Sequence, residues 1–233
     1  SGRVQQFDLE ATSKLAVETN KYYATEIGVR PSARITTVKP SGTTSCVLGT
    51  SSGVHAWHND YYIRRMRVGK NEAIYTYLTL RHPELVEDDF FKPETQAVIS
   101  IPQRAPNDGI LRHETSLELL ERVKDLYNRW IVPGHQQGNN THNVSCTVSV
   151  REEEWEEVGK WMWQNREYYN GIAVLPYFGG SYKQAPFEDI DKETFEGMFI
   201  ELKEVDLSNV VEVIDNTNLT GELACAGVSC EIT

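Results

Sequence analysis

The sequence predicts an α/β protein with a largely parallel sheet, and three observations lead there. Helix-like and strand-like segments alternate along the chain. The nearly continuous apolar run Gly171 to Leu175 (GIAVL) suits a strand buried on both faces. At 233 residues, with 39% hydrophobic and 24% charged positions, the chain can bury a sizeable core and is neither disordered nor fibrous in composition. One large domain over residues 1–214 is preferred to two small ones, followed by a polar tail over 215–233.

The elements follow in order. Phe7 to Ile27 has helical spacing, with Leu9, Leu15, Val17 and Tyr22 toward one side, and Gly28 and Pro31 end it. Arg34 to Lys39 (RITTVK) reads as a short β-branched strand running into Pro40-Ser41-Gly42. Tyr61 to Val68 and Gln96 to Ile101 are further strands, the second closed by Pro102. Ser116 to Ile131 is an amphipathic helix with Leu117, Leu120, Val123 and Leu126 spaced three apart. Asn143 to Val150 alternates like a strand, and Arg151 to Tyr169 is helical, with Trp155, Val158, Trp161 and Met162 as its apolar stripe. After the GIAVL strand, which Pro176 ends, comes an aromatic, Gly-rich loop of Tyr177, Phe178, Gly179 and Gly180. Asp191 to Glu204 is the last helix, and Leu207 to Ile214 reads as one more strand.

Charge narrows the function classes. The net charge of −11 opposes a nucleic-acid-binding role, which needs a basic face. The excess is concentrated: Pro186 to Thr233 carries twelve Asp and Glu against two Lys, which marks a solvated end. No apolar run approaches the roughly 20 residues that span a bilayer, and the first residues lack a signal pattern, so a cytoplasmic protein is expected. Four Cys are too few for a disulfide scaffold; Cys46 and Cys146 read as small buried residues. His55 and His58 have no neighbouring Cys or carboxylate at ligand spacing and read as hydrogen-bonded side chains rather than a metal pair. Arg64, Arg65, Arg67 and Lys70 form the densest basic cluster, either a solvated strand edge or a counter-charge for a polyphosphate.

Two motifs could carry chemistry. Ser41, Gly42, Thr43, Thr44 and Ser45 follow a strand and precede residues that could open a helix. Small hydroxyl residues with a Gly let backbone N–H groups converge on an anion, although a plain connecting turn fits as well. The stretch is neither a Walker loop nor a dinucleotide fingerprint. Cys225 and Cys230 lie in Cys-Ala-Gly-Val-Ser-Cys on the polar tail, where two thiols can exchange as a redox shuttle; half of a zinc site or two incidental cysteines are the other readings.

Together these pieces resemble a family. Ile35 to His58 (ITTVKPSGTTSCVLGTSSGVHAWH) followed by YYIRRMRV is similar to the substrate-phosphate loop of ribonucleotide reductases and the segment after it. Gly138 to Val150 and Tyr169 to Ile190 look like late barrel strands of the adenosylcobalamin-dependent (class II) branch that acts on ribonucleoside triphosphates, and CAGVSC resembles a C-terminal shuttle pair. The likeness covers roughly Val4 to Thr233.

The resemblance implies the C-terminal portion of a ten-stranded α/β barrel with a flexible redox tail. It implies adenosylcobalamin as cofactor, a ribonucleoside triphosphate as substrate, and thioredoxin as reductant of Cys225 and Cys230. In that family a finger-loop cysteine carries a thiyl radical that abstracts a ribose hydrogen, two further cysteines reduce the 2′ carbon, and a glutamate moves a proton. The Asn-Pro-Cys-x-Glu-type segment that holds the radical cysteine does not occur here. The chain is then expected to be a split-gene product, a fragment or a downstream piece, with an obligate partner carrying the N-terminal part. Leu175-Pro176-Tyr177 offers a Pro where class I large subunits carry one of a radical-transfer tyrosine pair, which favours class II. A class I fragment, or a non-catalytic phosphate-binding thiol module, are the competing readings.

Overall fold

The computed structural model describes residues 7–41, 44–177 and 182–214, so Gly42, Thr43, Cys225 and Cys230 lie outside the described residues. The helices are α1 (Leu9–Glu26), α2 (Thr44–Leu48), α3 (Ala73–Arg81), α4 (Ser116–Leu126), α5 (Trp155–Gln164) and α6 (Lys192–Glu201). The strands are β1 (Tyr61–Gly69), β2 (Val86–Asp88), β3 (Gln96–Arg104), β4 (Thr147–Val150), β5 (Ala173–Pro176) and β6 (Phe187–Asp189). The chain divides into two compact units, Ser1–Trp57 with Asp108–Phe178, and His58–Asn107 with Gly179–Thr233. No helix among the described residues is long and apolar enough to cross a membrane.

In the first unit β4 and β5 pair in parallel, from Thr147 opposite Ala173 to Val150 opposite Pro176. The expected strand over 34–39 is not regular; it is reduced to isolated bridges, Arg34 with His135 and Val38 in parallel with Val144. Between the bridges the Ile35 N–H donates to the Gly134 carbonyl at 3.2 Å, and the buried Thr36 donates its hydroxyl to the Ile131 carbonyl at 3.2 Å. Even so, Val38, β4 and β5 run side by side in one direction.

The core of this unit gathers Leu119, Leu120, Val123 and Leu126 of α4, Val144, Val148 and Val150 around β4, and Val158 and Trp161 of α5. A capping box starts α4: Thr115 Oγ1 accepts from the Glu118 N–H at 3.2 Å and Glu118 Oε2 from the Thr115 N–H at 2.7 Å, a device that contributes about 1 kcal/mol. The helix expected to reach Ile131 changes pitch at Tyr127–Ile131 into a π-turn, which Pro133 follows. The helix expected over 151–169 holds only from Trp155 to Gln164.

Two apolar expectations fail in an informative way. Leu15 and Tyr22 of α1 are each 60% exposed, and α1 buries only Ser13 and Ala24. β5, expected to be buried on both faces, leaves Leu175 37% exposed, and among the described residues its ladder partner is β4 on one side.

The second unit corrects the parallel-sheet expectation. Its four strands, in the order β2-β3-β1-β6, pair antiparallel throughout. β3 runs through Pro102 to Arg104 instead of stopping before the proline. The Ala105 N–H donates to the Asp60 carbonyl at 2.9 Å, so in the alternating ladder the Pro102 nitrogen faces away from β1. On that side β2 pairs only with residues 97–99, and the missing N–H interrupts no bond. Val68, Leu78, Leu85, Ala97 and Ile99 form the core. α6 stops at Glu201, and residues 207–214 hold a single 3₁₀ turn, Leu207–Asn209, in place of the expected strand: Val211, Val213 and Ile214 are all exposed.

Candidate functional site

The phosphate-loop motif lies in the first unit, where the segment running parallel to β4 ends. Ser41 makes the turn into α2: its Oγ accepts from the Ser45 N–H at 2.9 Å, and its carbonyl accepts from Ser45 Oγ at 3.1 Å. Ser52 grips the same residue from the other limb. Its Oγ accepts from the Ser41 N–H and donates to the Ser41 carbonyl, both at 2.9 Å. The backbone N–H groups of Ser41 and Ser45 are therefore engaged inside the loop, and these two residues shape it rather than offering main-chain donors to an anion.

The return limb approaches closely because of Gly53. Its φ is +59°, and a Cβ there would stand 2.9 Å from the Lys39 carbonyl oxygen and 3.1 Å from the Pro40 nitrogen. Val54 then enters the core, 5% exposed, and its carbonyl accepts from Arg122 Nε at 3.2 Å. The Arg122 guanidinium binds both Glu114 carboxylate oxygens at 2.6 Å. Burial pushes the Glu114 carboxyl upward in pKa while Arg122 opposes the shift.

His55 completes the limb. Its Nδ1–H donates to the Ser52 carbonyl at 2.9 Å and its Nε2 accepts from the Thr147 N–H at 3.1 Å, at the first residue of β4. An amide N–H can only donate, so Nε2 carries no proton and the ring is neutral. Burial, reinforced by the Arg122 guanidinium, holds the His55 pKa below its usual 6.5. The expectation of a hydrogen-bonded histidine holds. His58 Nε2 lies 3.0 Å from Asp189 Oδ1 in the second unit.

The basic cluster on β1 belongs to the second unit and is matched by acids. Arg65 pairs with Glu87 and Glu188, Arg67 with the buried Asp89 at 2.8 Å, and Lys70 with Asp88. Arg64 is 8% exposed, with its guanidinium 4.5 Å from the Phe187 ring centre. These pairs tie β1 to the adjacent β6 through Glu188 and, across β3, to β2 and the residue after it, so the cluster is not a bare solvated edge. Cys146 is buried, and burial pushes its thiol up to about 11, as expected of an inert core cysteine. Sequence reasoning missed Ser52, Gly53 and Thr147; the Ser51-Ser52-Gly53 turn, which begins six residues after the end of the motif, was the available signal.

No family model matches the chain. It is 29% identical over 96% of its length to the adenosylcobalamin-dependent ribonucleoside-triphosphate reductase of Lactobacillus acidophilus, spanning 30% of that protein. It is 30% identical over 94% of its length to the enzyme of the same name from Lactobacillus leichmannii, spanning 29% of it. A solved B-12-dependent (class II) ribonucleotide reductase superposes on 87% of the chain with a TM-score of 0.70 and 27% identity, the chain covering 27% of that structure. The chain thus spans less than a third of the relatives it matches.

Proposed function

Because the chain is a partial member of the adenosylcobalamin-dependent (class II) ribonucleotide reductase family, we propose that it is the C-terminal part of such a reductase and works only with the part that carries the radical cysteine. In this reading it supplies the later strands of the family's barrel, the loop that holds the substrate phosphates, and a tail dithiol. The observation that carries the reading is the loop's position at the carboxyl end of a parallel segment beside β4 and β5, where α/β folds bind ligands. The exposed apolar β5 and the exposed Leu15 and Tyr22 of α1 support a partner that covers them.

The phosphates of a ribonucleoside triphosphate would meet the N–H groups of Gly42, Thr43 and Thr44, with the hydroxyls of Ser41, Thr43 and Thr44 assisting, while the Ser41 and Ser45 amides and the Ser45 hydroxyl, expected from the sequence to assist, keep the loop in shape. Reduction of the 2′ carbon consumes two thiols and leaves a disulfide. Cys225 and Cys230 would reduce it by thiol–disulfide exchange, one attacking and the other resolving, and thioredoxin would return the pair to dithiol. Adenosylcobalamin supplies the radical when it is bound to the assembled reductase. Among the described residues no group of three or more His, Cys, Asp or Glu lies together where it could hold a metal ion, and no residue of this chain is assigned as a cobalt ligand or given a step on the cofactor.

Gly42→Val tests the loop, since a branched side chain blocks close approach of backbone to phosphate. In the assembled reductase the substrate KM rises at least about tenfold, or about 1.4 kcal/mol. An unchanged KM removes the loop from the substrate site.

A further inference from the structure

We infer that His55 is a positioning residue for the phosphate loop, joining its return limb, through Ser52, to the first residue of β4. The inference rests on the reading of residues 41–45 as the phosphate loop, and it adds what holds that loop in place.

The connection is continuous and each link has one direction. The Thr147 N–H donates to His55 Nε2 at 3.1 Å, and His55 Nδ1–H donates to the Ser52 carbonyl at 2.9 Å. The Ser52 hydroxyl closes on both backbone groups of Ser41 at 2.9 Å, and Ser41 Oγ accepts from the Ser45 N–H at 2.9 Å. Both ends of the five-residue loop are thereby referred to β4, which lies in the best-packed part of the unit, with Val148 and Val150 at 0% and 1% exposure. Of the loop's described residues, Ser41, Thr44 and Ser45, only Ser45 is buried, at 7% exposure, and Val47 and Leu48 of the five-residue α2 are 85% and 67% exposed. Ser41 and Ser45 are held chiefly by these hydrogen bonds.

The imidazole suits this place because it presents a donor and an acceptor on opposite sides of one rigid ring. Asn and Gln also carry an acceptor and a donor, but both on one terminal carbon, so each reproduces only one end of the ring's reach. Gly53, with its left-handed backbone and its approach to Lys39, brings the Ser52 carbonyl within reach of His55 Nδ1. The neighbouring charges are already committed, since Arg122 is bound by Glu114 and by the Val54 carbonyl. His55 touches no reacting atom in this account; it acts through the loop.

A loop that is loosened without loss of its phosphate donors costs substrate affinity and leaves the chemical step alone, so the signature is a split between KM and kcat. In the assembled reductase, His55→Ala should raise both the substrate KM and the inhibition constant of inorganic tripolyphosphate about tenfold, with kcat within twofold of the parent. His55→Gln, which keeps an acceptor for the Thr147 N–H, should recover part of that loss, while His55→Ser should recover none. Gly42→Val is the companion variant. If it raises KM and His55→Ala does not, the phosphate loop stands and the positioning role is overturned. If neither variant moves KM or tripolyphosphate inhibition, the loop reading fails and the inference with it. A fall in kcat at constant KM in His55→Ala would also overturn the role assigned here.

Discussion

Replacing Gly53 by Ala tests whether the two limbs of the loop are held as close as the hydrogen bonds require. Two costs combine. A left-handed φ of +59° is unfavourable for a residue with a Cβ by roughly 1–2 kcal/mol. The new methyl would lie 2.9 Å from the Lys39 carbonyl oxygen and 3.1 Å from the Pro40 nitrogen, both main-chain atoms that cannot rotate away, and overpacking of this kind costs about 1–3 kcal/mol. The limbs must separate to relieve about 2 kcal/mol or more, which opens the Ser41–Ser52 bonds. Amide hydrogen exchange on the assembled protein should show the Ser41 and Thr147 N–H groups exchanging roughly 30-fold faster or more, at 1.4 kcal/mol per tenfold. Gly159→Ala is the internal control: nothing lies within 4 Å of its Cβ and it sits inside α5, so helix propensity alone gives a gain of about 1 kcal/mol. Unchanged exchange at Ser41 and Thr147 in Gly53→Ala would refute the close-approach argument.

The remaining predictions concern protons and electrons. The His55 pKa is lowered in the folded protein, chiefly by burial, so the folded state binds fewer protons than the unfolded one near pH 6 and stability rises with pH there. That contribution is complete above the unfolded value of 6.5 and is lost as the pH falls from there through the folded-state pKa. Below pH 6.5 the Thr147 amide of the parent protein should lose exchange protection, and a protection that is flat from pH 7.5 to 5 contradicts the neutral-ring assignment. For the tail, the double variant Cys225→Ser, Cys230→Ser should lose multiple turnover driven by thioredoxin yet retain most activity with dithiothreitol, which diffuses to the active-site disulfide unaided. Full thioredoxin-driven turnover would make the pair incidental.

Elements carrying their own signal were legible in the sequence. The 116–126 helix is defined by its apolar spacing and its Thr115–Glu118 capping box, and β1 and β3 by β-branched and aromatic runs. What failed depended on neighbours that local sequence does not encode. Pro102 looked like a stop, yet its nitrogen faces a side of β3 that β2 does not reach. RITTVK has strand composition but finds its partners in two different places, Arg34 at His135 and Val38 at Val144. Antiparallel pairing of the second unit could not be told from parallel by alternation alone. The GIAVL run suits a strand buried on both faces, yet only Ile172 and Val174 pack against the core and Leu175 is exposed, because among the described residues β5 has a ladder partner on one side alone. At the site, the Ser-Gly turn was legible from small residues, whereas Ser52, His55 and Thr147 come together only through the fold, across 92 positions from His55 to Thr147.

The most direct measurement is reconstitution. The chain is combined with the reductase segment that carries the radical cysteine, and conversion of a ribonucleoside triphosphate to its 2′-deoxy product is followed with adenosylcobalamin and a dithiol. The account predicts no product from the chain alone and cofactor-dependent product from the combination; turnover by the chain alone, or none by the combination, would contradict it.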